Sequence, residues 1–212
     1  MATYQTRIQD LIGIPSQGVD TQLITDSLID TAKGIINLAP NELLWSVSTT
    51  SSDVTSNSYS LTGIQVLSVV RENGVDGQYV TCREVPFNYE RKVQDVNSMF
   101  YPSKEEPVFF RKDDSISVFP APGASPNAFK VNYVVFPVID YNESMGDNQF
   151  PLDWDAALVY GAALKICNRL VADWILDEDP EMVQSTLSTV QNIKELYTLE
   201  LQILFPKPQA GG

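Results

Sequence analysis

At 212 residues with 43% hydrophobic content, the chain has enough apolar surface for a substantial core, in one large domain or two joined ones. Its 14 Lys plus Arg stand against 27 Asp plus Glu, a net charge of -13. That balance argues against gripping a phosphate backbone, which draws its affinity from cationic side chains and counterion release, and the absence of histidine removes Ser-His-Asp and Cys-His nucleophiles and imidazole-based metal sites.

In chain order, a short helix is predicted over Arg7 to Ile12. A second follows over Val19 to Leu38, where Asp20 is placed to cap it, Leu23, Ile24, Leu28, Ala32, Ile35 and Ile36 make its apolar face, and Pro40 stops it. Ser46 to Ser60 is rich in Ser and Thr without strong periodicity and reads as an exposed excursion or link. Two paired strands are predicted over Ile64 to Val70 and Tyr79 to Val85, around the turn-rich Asn73 to Gly77. Tyr89 to Met99 reads as a short surface helix. Three more strands follow at Val108 to Arg111, Ser115 to Phe119 and Phe129 to Phe136, the first two joined by a tight turn near Asp113 and Asp114. In the last strand Phe129, Val131, Tyr133 and Val135 share one face with Lys130 and Asn132 opposite, as a half-buried sheet requires.

The C-terminal third is helical again. A helix starting near Pro151, with Asp153 and Asp155 in its first turn, is apolar almost all round. Its small residues Gly161, Ala162 and Ala163 permit close approach of a neighbour, either another helix of the chain or another subunit. The acidic run Asp177, Glu178, Asp179, Glu181 fails as a calcium loop, because Met182 stands where glycine is needed and Ser188 where glutamate is needed. It reads as a helix junction: Asp179 caps a helix opening on Pro180 and carrying Val183, Leu187, Val190, Ile193, Tyr197, Leu201 and Leu204. The last segment, Pro206, Lys207, Pro208, Gln209 and onward, cannot continue that helix and reads either as a simply frayed, flexible tail or, as the sharper alternative, as a tail that gains order by docking in a groove of an adjacent subunit or the portal.

The fold expected is therefore α+β: residues 1–45 and 148–205 form a helical bundle, 46–147 an inserted antiparallel β domain, and 206–212 the tail. No run of about 18 apolar residues is present and Met1 to Thr6 lacks the features of a signal peptide, so the expectation is a soluble protein made in the cytosol without a membrane partner. Cys82 and Cys167 have no paired spacing and are expected to be buried free thiols. Phosphate-cradling glycine motifs do not occur, and no cofactor or metal is expected.

One set of residues carries a family resemblance. Ala39-Pro-Asn-Glu-Leu-Leu-Trp45 ends a helix; Pro107-Val-Phe109 and Ile116-Ser-Val-Phe-Pro120 lie in strands; Val131-Asn-Tyr133 and a Phe136-Pro137 exit follow; and Phe150-Pro151 leads into Leu158-Val-Tyr-Gly-Ala-Ala-Leu-Lys165. In this order the chain resembles the head-to-tail connector, or adaptor, proteins of tailed bacteriophages. The resemblance implies a non-enzymatic virion protein of the neck. Its copies would form a ring, commonly dodecameric, that meets the portal on one side and tail or neck proteins on the other and lets genomic DNA pass. An acidic channel wall suits passage without sticking. Two other classes stand beside it. One is a tail or baseplate β module that binds carbohydrate or another tail protein, with Trp45, Tyr59, Tyr89, Phe100 and Tyr101 as stacking residues. The other, more remote, is a carboxylate-based hydrolase, for which no acid/base pair stands out.

Overall fold

The computed structural model of the chain describes residues 2–13, 19–144, 146 and 150–206. It is an α+β protein with helices toward both ends and two four-stranded sheets between them. The chain divides into two compact units, residues 1–40 with 136–212 and residues 41–135.

In the first unit, α1 spans Tyr4–Ile12, α2 Thr21–Leu38, α5 Asp155–Leu176 and α6 Pro180–Leu204. Their ends follow local chemistry. The Thr3 hydroxyl accepts from the Thr6 N–H and opens α1, which closes on Gly13 in the left-handed region (φ 74°), a conformation that costs glycine little. Asp20 caps α2 by accepting from the Gln22 N–H at 3.0 Å. The apolar α5 packs against α1, α2 and α6, and Ile24, Leu28, Ile35, Leu158, Ala162 and Ile166 lie fully inside this core.

The second unit begins with the short α3 (Asn41–Leu44), and α4 (Glu90–Gln94) covers part of its β structure. The strands are β1 (Thr49–Thr50), β2 (Ser58–Ser60), β3 (Ile64–Glu72), β4 (Tyr79–Thr81), β5 (Arg83–Glu84), β6 (Val108–Lys112), β7 (Ser115–Phe119) and β8 (Phe129–Val135). One sheet has the order β1-β8-β3-β4, the other β2-β7-β6-β5. Val66, Val69, Phe129 and Val131 from the first and Phe109, Ile116 and Val118 from the second make one buried cluster between them. Strand β6 is buried on both sides. Phe109 faces that cluster, while its neighbours Val108 and Phe110, pointing the other way by the two-residue period, join Val85 and Val93 of α4 in a second cluster.

Several expectations change. The Ser/Thr-rich segment 46–60 is not a free excursion: it supplies edge strands β1, on β8, and β2, on β7. Edge pairing uses backbone groups, so a polar, aperiodic sequence satisfies it. The predicted strand 79–85 is two strands in different sheets. The chain crosses at Cys82, whose N–H donates to the Val69 carbonyl at 2.8 Å, while that of Arg83 donates to Pro107 of the other sheet at 2.9 Å. Since the run keeps its direction, β5 meets β6 in parallel, and the β region is mixed rather than wholly antiparallel. The alternation of β8 holds to Tyr133 and then shifts, with Val134 buried and Val135 exposed, near a bulge in β3 between Val66 and Ser68.

The boundaries also move. Residues 41–45 go with the β unit and 136–147 with the helical one, because Tyr4 and Gln5 N–H groups donate to the carbonyls of Glu143 and Tyr141, and the Tyr141 N–H donates to the Thr25 hydroxyl. Ile139 is fully buried there. The tight turn at Asp113 and Asp114 forms the two-residue link between β6 and β7, with Asp113 at φ 51°, a region Asp tolerates.

Candidate functional site

Gly161, Ala162 and Ala163 lie inside the chain's own helical core. A methyl group on Gly161 would come within 2.4 Å of Thr31 Cγ2 on α2 and 3.0 Å of the Tyr197 ring on α6. The glycine thus lets side chains of α2 and α6 come close to the α5 backbone, and burial raises the Tyr197 phenol pKa beside it. These three residues serve intrachain packing and have no surface to offer a neighbouring subunit. Of the tail residues, Pro206 is exposed after the end of α6; Lys207, Pro208 and Gln209 lie outside the described residues.

The structure assembles two polar sites that sequence reasoning missed. Asp155 is only 3% exposed; one oxygen accepts from the Tyr4 hydroxyl at 2.8 Å and the other is paired with the Arg7 guanidinium. From the sequence it is one more acidic residue in a helix's first turn; nothing marks its partners, about 150 positions away. In the β unit Arg71 is 1% exposed and donates to the carbonyls of Pro120 (3.0 Å), Glu72 (2.6 Å) and Ala121 (3.3 Å). Burial lowers its pKa, opposed by nearby Cys82, Tyr101 and Glu72. The adjacent Glu72 carboxylate accepts from the N–H groups of Gly77 and Ala128 and the hydroxyl of Ser125. Both buried carboxylates thus have their oxygens committed to holding the fold. Among the described residues no group of three or more His, Cys, Asp or Glu is placed to hold a metal ion.

Both cysteines are free and buried, and burial pushes their thiols up to about 12 for Cys82 and about 11 for Cys167. The aromatic residues proposed for stacking go to separate uses. Tyr59 packs on Tyr133 against the sandwich core. Tyr89 and Phe100 meet edge to face, with the Lys92 ammonium 5.0 and 4.9 Å from their ring centres. Trp45 stays 48% exposed.

The hairpin of α5 and α6 carries an accessible cleft at its tip. Helix α5 ends in paired reverse bonds, Asp179 N–H to the Trp174 carbonyl and Glu178 N–H to that of Ile175, which place Glu178 in the left-handed region at φ 55°. Asp179 then caps α6 by accepting from the Met182 N–H at 3.1 Å, with Pro180 in the first turn. Between the two helix ends lies an open cleft walled by Trp174, Ile175, Pro180, Val183 and Leu187, with Glu178 and Asp179 at its edge. Leu176 beside it is 80% exposed. No Lys or Arg occurs between Arg169 and Lys194, while Asp173, Asp177, Glu178, Asp179 and Glu181 fall there.

Compared with known proteins, the chain matches no family model and no curated protein. No helix among the described residues is long and apolar enough to cross a membrane.

Proposed function

We propose that this chain is a structural virion protein of a tailed bacteriophage: a head-to-tail connector whose copies form a ring in the neck, between portal and tail, around the path of the exiting DNA. In this reading the helices from both chain ends act as a bundle that forms the rigid base of the ring. The inserted β unit meets neighbouring copies or the next ring. The protein does no chemistry and holds no cofactor. The order of elements and the motifs that carry the family resemblance support the reading.

The observation that carries it in the fold is the apolar surface left on the two longest helices: Ile175, Leu176, Leu187, Leu199 and Ile203 are all exposed. These side chains fall at both ends of the α5–α6 hairpin, Ile175, Leu176 and Leu187 toward its tip and Leu199 and Ile203 toward the other end of α6, where neighbouring copies would cover them, and a head-to-tail contact repeated around a closed rotation yields a ring. The net charge of -13 fits a channel past which DNA slides. Negative-stain images of the purified protein, alone and with portal, test the proposal. Rings, free or seated on portal, are expected; monomers under both conditions would end it. The alternative of a glycan-binding tail module draws on the exposed Trp45, and binding on a glycan array that is lost in Trp45→Ala would favour it.

A further inference from the structure

We propose that the tip of the α5–α6 hairpin is a docking site for a basic amphipathic helix of a partner protein. The inference does not depend on ring formation and applies equally to a connector or to another tail protein. The cleft wall is mainly apolar and comes from both helices: Trp174 and Ile175 from the end of α5, and Pro180, Val183 and Leu187, with the polar Gln184 among them, from the start of α6. This is the form in which helix-in-groove recognition takes the apolar stripe of its ligand. The surroundings choose the ligand's charge. Asp177, Glu178 and Glu181 are exposed at the tip, Asp173 is occupied by Arg169 at 3.3 Å, and no cation lies along the chain until Lys194. A second acidic tip would be repelled, whereas Lys or Arg flanking an apolar stripe would be attracted and steered to the site.

The acidity is concentrated in this half of the molecule. The helical unit has six Lys plus Arg against sixteen Asp plus Glu, and the β unit eight against eleven, so an approaching basic segment is drawn to the helical unit. Glu178 adds an argument of its own. The left-handed position after a helix favours glycine, yet here it holds a carboxylate, on the rim of the cleft.

The test uses the full chain and a fluorescently labelled Leu/Lys amphipathic helix of about 18 residues, long enough to present several turns, beside a Leu/Glu peptide of the same pattern. Saturable one-to-one binding of the Leu/Lys peptide is expected, with a change in tryptophan emission from Trp174. It should weaken about tenfold or more in Leu187→Ser, which removes cleft wall, and in Glu178→Gln with Glu181→Gln, which removes rim charge. Circular dichroism checks that each variant keeps its helices, and Glu195→Gln, farther along α6, should bind as the parent does. Equal binding of both peptides, no binding of either, or Leu/Lys binding untouched by the cleft and rim variants would overturn the proposal. So would concentration-dependent self-association abolished by Leu187→Ser, which would make a second copy the occupant.

Discussion

The two units bury charge in opposite ways. In the helical unit Asp155 is met by side chains, the Tyr4 hydroxyl and the Arg7 guanidinium. In the β unit Arg71 and Glu72 are satisfied mainly by backbone, the guanidinium by three carbonyls and the carboxylate by two N–H groups and one hydroxyl. Helices spend their interior backbone groups on themselves, so a charge buried among them must find another side chain. Strand ends and turns leave backbone donors and acceptors open. Buried charge in the β unit thus fixes loops, tying the 120–128 connection to β3, while in the helical unit it fixes how α1 sits on α5.

The largest test of this contrast is Asp155→Ala, which removes the carboxylate that pairs with Arg7 and accepts from the Tyr4 hydroxyl. A loss of about 3 kcal/mol is expected, at the low end for a broken buried pair because Arg7 is 28% exposed. Hydrogen exchange should rise across α1 and α5 and not in β3 or β8. Equal loosening of both units would show that they unfold as one.

Arg71→Met is the matching experiment in the β unit. It strands three carbonyls but keeps a long apolar stem, and about 2 kcal/mol is expected from lost charge-assisted hydrogen bonds. The faster exchange should now fall in residues 120–128 and spare the helices.

Smaller again is Gly161→Ala. The added methyl gains helix propensity but must displace the stiff, buried Thr31 or the Tyr197 ring, for a net cost of about 1 kcal/mol. Thr31→Ser removes the methyl it strikes, so the double variant should melt closer to the parent than the sum of the single changes predicts. Strict additivity in that cycle would mean the helices are farther apart than described.

The smallest effect has the opposite sign. Glu178→Gly removes a side chain from a left-handed position, and a gain of about 0.5–1 kcal/mol is expected as a rise in melting temperature. No rise would mean that Glu178 makes compensating contacts.

Local signals were legible wherever a residue's effect depends on its near neighbours along the chain. Asp20, Asp179 and Pro180 mark helix starts because a cap acts within one turn, and the spacing of apolar residues marks the inward face of α2; on α6 only Ile193 of the expected stripe is buried, and Leu187 is exposed. The Asp113–Asp114 turn was legible for the same reason. Gly161, Ala162 and Ala163 read as a place of close approach, although their small size does not say which helix approaches.

What the sequence determined by itself was therefore the set of segments: an α+β protein, with helices toward both ends and strands between. Tertiary structure alone decided which segments share a sheet. The run 79–85 is uniformly extended, and only the neighbours available on each side of Cys82 divide it between two sheets and make one pair parallel. It also decided that the polar 46–60 segment closes two sheet edges, because edge pairing asks for backbone groups that every residue carries. The partners of Asp155 and Arg71 were settled the same way. A carboxylate or guanidinium is ordinary in a sequence until long-range packing removes water from it, and burial then obliges partners that no local pattern names.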